Sequence, residues 1–146
     1  MRDALLDVDY LILADAAQVA DGKLYLLGGG WDRLSVNGLP AIQFMGVAIA
    51  ILVPWSETNT TQTLTVSIED EDGGAVMQPV AVRVEVGRPS GLSAGADQRV
   101  LMALNAQLAL PRLGDYAVTA TLDSGARKRH RFSVQAGPMF RETAAP

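Results

Sequence analysis

Apolar and polar side chains alternate along most of this chain. Leu64, Val66 and Ile68 alternate with Thr63, Thr65, Ser67 and Glu69, and Val80, Val82, Val84 and Val86 with Ala81, Arg83 and Glu85. Tyr116, Val118, Ala120 and Leu122 alternate with Ala117, Thr119, Thr121 and Asp123; His130, Phe132 and Val134 alternate with Arg129, Arg131, Ser133 and Gln135. A period of two places successive side chains on opposite faces of a pleated strand, so each segment predicts a strand with one dry and one wet face. No window carries a convincing helical period. The short Asp3 to Leu6 piece suits one helical turn, and Val100 to Leu110 reads as strand because its neighbours are strands.

Turn chemistry falls where these strands end. Asp21-Gly22 sits between two apolar runs, and tight primed turns need the positive φ that Gly accepts freely and Asp tolerates. Asn37-Gly38, Asp72-Gly73-Gly74, Pro111 to Asp115 and Asp123-Ser124-Gly125 punctuate the remainder. Gly28-Gly29-Gly30 reads as a bulge or a sharp corner where the chain passes from one sheet to the other. About nine strands at this spacing predict an all-β fold: a single antiparallel β-sandwich of eight or nine strands, immunoglobulin-like or jelly-roll-like. The sandwich is expected over residues 1–136, followed by a tail over 137–146 whose Met139 and Phe140 stand in a polar stretch. The segment Leu110-Pro111-Arg112-Leu113-Gly114-Asp115-Tyr116-Ala117-Val118 resembles the approach to the penultimate strand of immunoglobulin-like sandwiches, which implies a corner tied by the Tyr116 hydroxyl.

Two segments break the alternation. In Ala41 to Trp55, Ile42, Phe44, Ala48, Ala50 and Leu52 are matched on the other face by Met45, Val47, Ile49, Ile51 and Val53, and Val100 to Leu110 is similarly apolar on both sides. A two-layer sandwich gives each strand one dry face, so something else must cover the second. A second copy of the chain is the preferred cover; loops or the tail are the alternative.

At 146 residues the chain is long enough for one well-packed domain. With no cysteine, disulfides, thiolate metal sites and a thiol nucleophile are excluded. Asp3, Asp7 and Asp9 interrupt any signal-peptide core, which leads to the expectation of a cytoplasmic protein. The longest apolar run, Phe44 to Trp55, is shorter than the roughly 20 residues of a spanning helix, so no membrane is expected. A net charge of −4 argues against nucleic acid as a partner.

No catalytic, cofactor-binding or metal-binding residue is assigned. Gly28 to Gly30 lacks a Gly-Lys-Ser/Thr ending and a following helix, so it is not a phosphate loop. Glu69, Asp70, Glu71 and Asp72 miss EF-hand spacing and read as a solvated turn. Arg127 to Arg131 is the basic run; in a strand, Arg129 and Arg131 share a solvated face, while His130 joins Phe132 on the other. His130 is the sole histidine and no G-x-S-x-G elbow is present, so a nucleophile, a base and an orienting group cannot be assembled, and no enzyme is expected. Asp15 is expected to find a structural partner in Arg33 or in backbone, because a carboxylate in an apolar strand is costly when unpaired.

The A-D-x-A-x-x-x-D-G-K-L stretch of Ala14 to Leu24, the Gly-Gly-Gly-Trp-Asp-Arg-Leu that follows, Pro40 before a long apolar strand and the Gly-Asp-Tyr corner resemble an uncharacterised bacterial family. Its members are small cytoplasmic β-sandwich proteins known only as a domain of unknown function. That resemblance implies a fold and carries over no functional residue and no cofactor. The expected role is therefore a non-catalytic, self-associating scaffold or protein-interaction module, acting with copies of itself or an unidentified protein partner. The alternative is a small-molecule or carbohydrate-binding module with Trp31, Trp55 and the Gly87 to Gln98 loop as contacts.

Overall fold

Asp21 and Gly22 both take positive φ, 52° and 70°, the pair of left-handed residues that a primed hairpin turn needs. They join β1 (Asp7–Ala20) to β2 (Lys23–Gly29) in a computed structural model that describes residues 6–87 and 90–142. Seven further strands follow: β3 (Arg33–Val36), β4 (Ala41–Val53), β5 (Thr60–Asp70), β6 (Val80–Val86), β7 (Gln98–Leu110), β8 (Gly114–Leu122) and β9 (Arg127–Ala136). The helical element among the described residues is one 3-10 turn at Trp55–Glu57. No helix of the described residues is long and apolar enough to cross a membrane. Asp3 to Leu5 of the suggested helical turn, and Arg88 and Pro89 of the Gly-rich loop, lie outside the described residues.

A four-stranded sheet ordered β2-β1-β4-β7 packs on a five-stranded sheet ordered β3-β9-β8-β5-β6. Matching β1, β4 and β7 to A, B and E, and β5, β8 and β9 to C, F and G, reproduces the immunoglobulin-type arrangement. The inner faces are those the alternation selects. Leu11, Leu13, Val47, Ile49, Ile51, Leu108 and Leu110 meet Leu64, Val66, Ile68, Val118, Phe132 and Val134 in one buried cluster.

The corner also forms as its sequence implies. Tyr116 Oη donates to the Arg112 carbonyl at 2.6 Å and accepts from the Arg112 N–H at 3.1 Å, while its ring stacks on Phe132 at 5.4 Å. Gly28 and Gly30 take φ of 60° and 90° where the chain crosses from β2 to β3, that is, from one sheet to the other.

One feature departs from the all-antiparallel expectation: β3 runs parallel to β9, from Arg33↔Ser133 to Val36↔Ala136. The strand arrives by a cross-sheet corner, and five strands lie between it and β9 in the chain, so no hairpin imposes the antiparallel direction. The tail is tied beside this pair. Gly137 N–H donates to Val36 carbonyl and Arg141 N–H to Asn37 carbonyl, Phe140 packs on the core, and Met139 stays exposed.

Candidate functional site

β1 is paired to β4 only as far as Ala14↔Gly46. Beyond that point it leaves the sheet plane, and its second half pairs with β2 as a two-stranded arm laid across the outer face of β4. Glycine at 46 makes this crossing possible. A Cβ there would lie 2.8 Å from Ala17 N, 2.9 Å from Ala16 C and 2.9 Å from Asn105 Oδ1. Asn105, opposite Gly46 on β7, reaches over β4 and fastens the arm. Its Oδ1 accepts the Ala17 N–H at 2.9 Å and its Nδ2 donates to the Ala17 carbonyl at 2.8 Å. A side chain thus supplies the ladder partners that β4 no longer offers.

Part of the second apolar face is therefore covered by the chain itself, while Ala48 and Ala50 are closed off entirely. Another part stays open. Tyr25 is 51% exposed, Leu26 37%, Leu27 72%, Ile42 57% and Phe44 66%. These residues are connected by the fold. Leu27 is opposite Ala16, Ala16 lies over Gly46, and Phe44 and Ile42 precede Gly46 on the same face of β4. A groove of about 400 Å³, lined by Ala17, Tyr25, Leu26, Leu27 and Asn105 among others, runs beside the arm. Among the described residues β2 is also an edge strand, so half of its main-chain groups face no described neighbour in the sheet.

Other residues singled out in the sequence fall elsewhere. Asp15 is exposed and lies against Gly28, and it forms no ion pair with the exposed Arg33, contrary to the pairing expected of it. The bend of β1 turns this position out to water, which removes the burial cost that called for a partner. The acidic turn is more organised than a solvated one. Asp70 Oδ1 accepts N–H groups from Gly74 at 2.8 Å and Asp72 at 3.0 Å, and Arg112 bridges Asp70 at 2.6 Å and Asp72 at 3.2 Å. The Gly74 N–H above all, then Arg112 and the Asp72 N–H, hold the Asp70 carboxyl below its ordinary range, against the opposing cost of desolvation.

Among the described residues, no group of three or more His, Asp or Glu side chains is placed to hold a metal ion. Trp31 meets Phe132 in a T-shaped contact at 6.2 Å and packs, half-buried, against the core. His130 is half-buried on the inner side of β9, as its place beside Phe132 suggested.

Asn105 and Gly46 are the pair at this crossing that alternation alone does not expose. Their signals are present: a glycine inside an apolar strand marks close backbone approach, and asparagine is disfavoured in strands unless its amide has work elsewhere.

The model of a family of unknown function, DUF6941, matches residues 9–135. The chain belongs to the DUF6941 family. The matched stretch runs from β1 to β9 and includes the arm, Gly46, Asn105 and the Tyr116 corner, so these are features of the DUF6941 portion of the chain. No curated protein matches this DUF6941 sequence. Among solved structures, a CARDB domain from Pyrococcus furiosus, crystallised in complex with di-metal ions, is similar at 14% identity. The TM-score is 0.40, over 73% of this chain and 86% of that one.

Proposed function

We propose that this DUF6941 protein is a non-catalytic interaction module that self-associates through the β1–β2 arm. The observation that carries this reading is the edge strand β2, which joins an open row of main-chain groups to the exposed side chains of Tyr25, Leu26 and Leu27. Long apolar edges are a hazard that monomers normally blunt with charge, proline or cover, and in β2 such a charge is found only at Lys23.

Area supports the same reading. At about 200 Å² for a large side chain, the exposed fractions of Tyr25, Leu26, Leu27, Ile42 and Phe44 leave roughly 550 Å² of apolar surface in water. That lies near the upper end for the largest patch on a monomer. It also matches the apolar share of a standard homodimer interface, about 65% of some 800 Å² per partner. Two β2 edges meeting about a two-fold axis place the same residues on both sides, as an isologous contact requires.

Amide hydrogen exchange across a dilution series tests the assignment. Protection of Leu24 to Leu27 is expected to fall as the protein is diluted, while β5 and β8 stay unchanged. Protection of β2 that does not vary with concentration overturns the proposal.

A further inference from the structure

β3 covers only the last part of β9, which leaves the first part an open edge among the described residues. Ser133 donates its N–H to the Asp32 carbonyl, so the main-chain groups of the odd-numbered residues of β9 point away from β8. At Arg127, Arg129 and Arg131 no described strand meets them, because β3 begins opposite Ser133. The side chains of these three arginines stand together on the outer face of the sheet, exposed and without an ion pair among the described residues. Among the described residues, this stretch of the border thus has main-chain groups that no strand of the chain pairs.

We propose that the β9 edge from Arg127 to Arg131 receives an extended acidic polypeptide segment as an additional strand of the five-stranded sheet. Alternate residues of any strand are about 6.6 Å apart, so carboxylates at every second position of the incoming segment meet Arg127, Arg129 and Arg131 one to one. Main-chain hydrogen bonds give such strand addition its affinity and the alternating side chains give it selectivity. The same arginines repel a second β9 edge, which separates this site from the self-association of β2.

Nucleic acid fits less well. The neighbouring positions on the outer face of β8 are Ala117, Thr119 and Thr121, which offer no ring for base stacking.

Fluorescence anisotropy with a labelled eight-residue peptide of alternating Glu and Val tests the site. Micromolar binding is expected, weakened at least about tenfold by the double substitution Arg129→Glu and Arg131→Glu, and by N-methylation of alternate peptide amides. Arg83→Glu, on the opposite edge of the sheet, serves as the charge control and should leave binding unchanged. Circular dichroism checks that the double variant keeps its strand spectrum; if it does not, Arg129→Gln alone replaces it, with a smaller loss expected. No binding, equal binding of the N-methylated peptide, or equally tight binding of a single-stranded oligonucleotide overturns the proposal.

Discussion

The Asn105 carboxamide holds both main-chain groups of Ala17, accepting its N–H at 2.9 Å and donating to its carbonyl at 2.8 Å. This contact spans the width of β4 and decides where the β1–β2 arm lies. Without it, two backbone groups of a buried residue lose their partners. Asn105→Ala is expected to destabilise the fold by about 2 kcal/mol, the cost of stranding polar groups out of water. Urea denaturation measures the loss, and faster amide exchange confined to Ala16 to Leu27 would show that it comes from the arm.

Gly46→Ala acts on the same crossing from below. The new methyl group meets backbone atoms of Ala16 and Ala17 inside 3.0 Å, so the arm must lift. A loss of about 1–3 kcal/mol is expected from this overpacking. Because both changes release one contact, the double variant with Asn105→Ala should cost less than the sum of the singles.

Tyr116→Phe removes one hydroxyl that both donates to and accepts from Arg112, while the stacking on Phe132 survives. A loss of about 1–2 kcal/mol is expected in thermal or urea unfolding. A loss near zero would mean that water takes over both bonds at this corner.

Asp70 makes stability sensitive to acid. Its carboxyl titrates lower in the folded chain than the ordinary value of 3.8, chiefly through the Gly74 N–H and then through Arg112. A depressed folded value contributes stability that is present above the unfolded value and is lost as pH falls through the folded one. Wild-type stability should therefore decline as pH drops below about 4, and Asp70→Asn should flatten that part of the profile. Unfolding midpoints collected from pH 7 to pH 2 check the sign.

Most of the sandwich was legible because its rules are local. Alternation in Leu64 to Glu69 or Tyr116 to Asp123 names a buried face without knowledge of the partner strand, and Asp21-Gly22 and Gly114 mark turns by conformations that few residues accept. Apolar residues on both faces of Ala41 to Trp55 called for a second covering; over Gly46 it is the chain's own β1–β2 arm, which was none of the covers expected, because its placement depends on a bend in β1 that no period records. Asp15 was misread for the same reason: it sits in an apolar run, but the bend turns it to water. The parallel β3–β9 pair joins segments with five strands between them, and its direction is set by the cross-sheet corner rather than by either strand's residues.

Sedimentation equilibrium of wild-type protein and of Leu27→Lys, from low to high micromolar concentration, bears most directly on the role of the arm. Wild-type protein is expected to approach twice the chain mass, whereas the lysine variant stays at the chain mass with an unchanged strand spectrum. A wild-type protein that remains at the chain mass at the highest concentration contradicts the account.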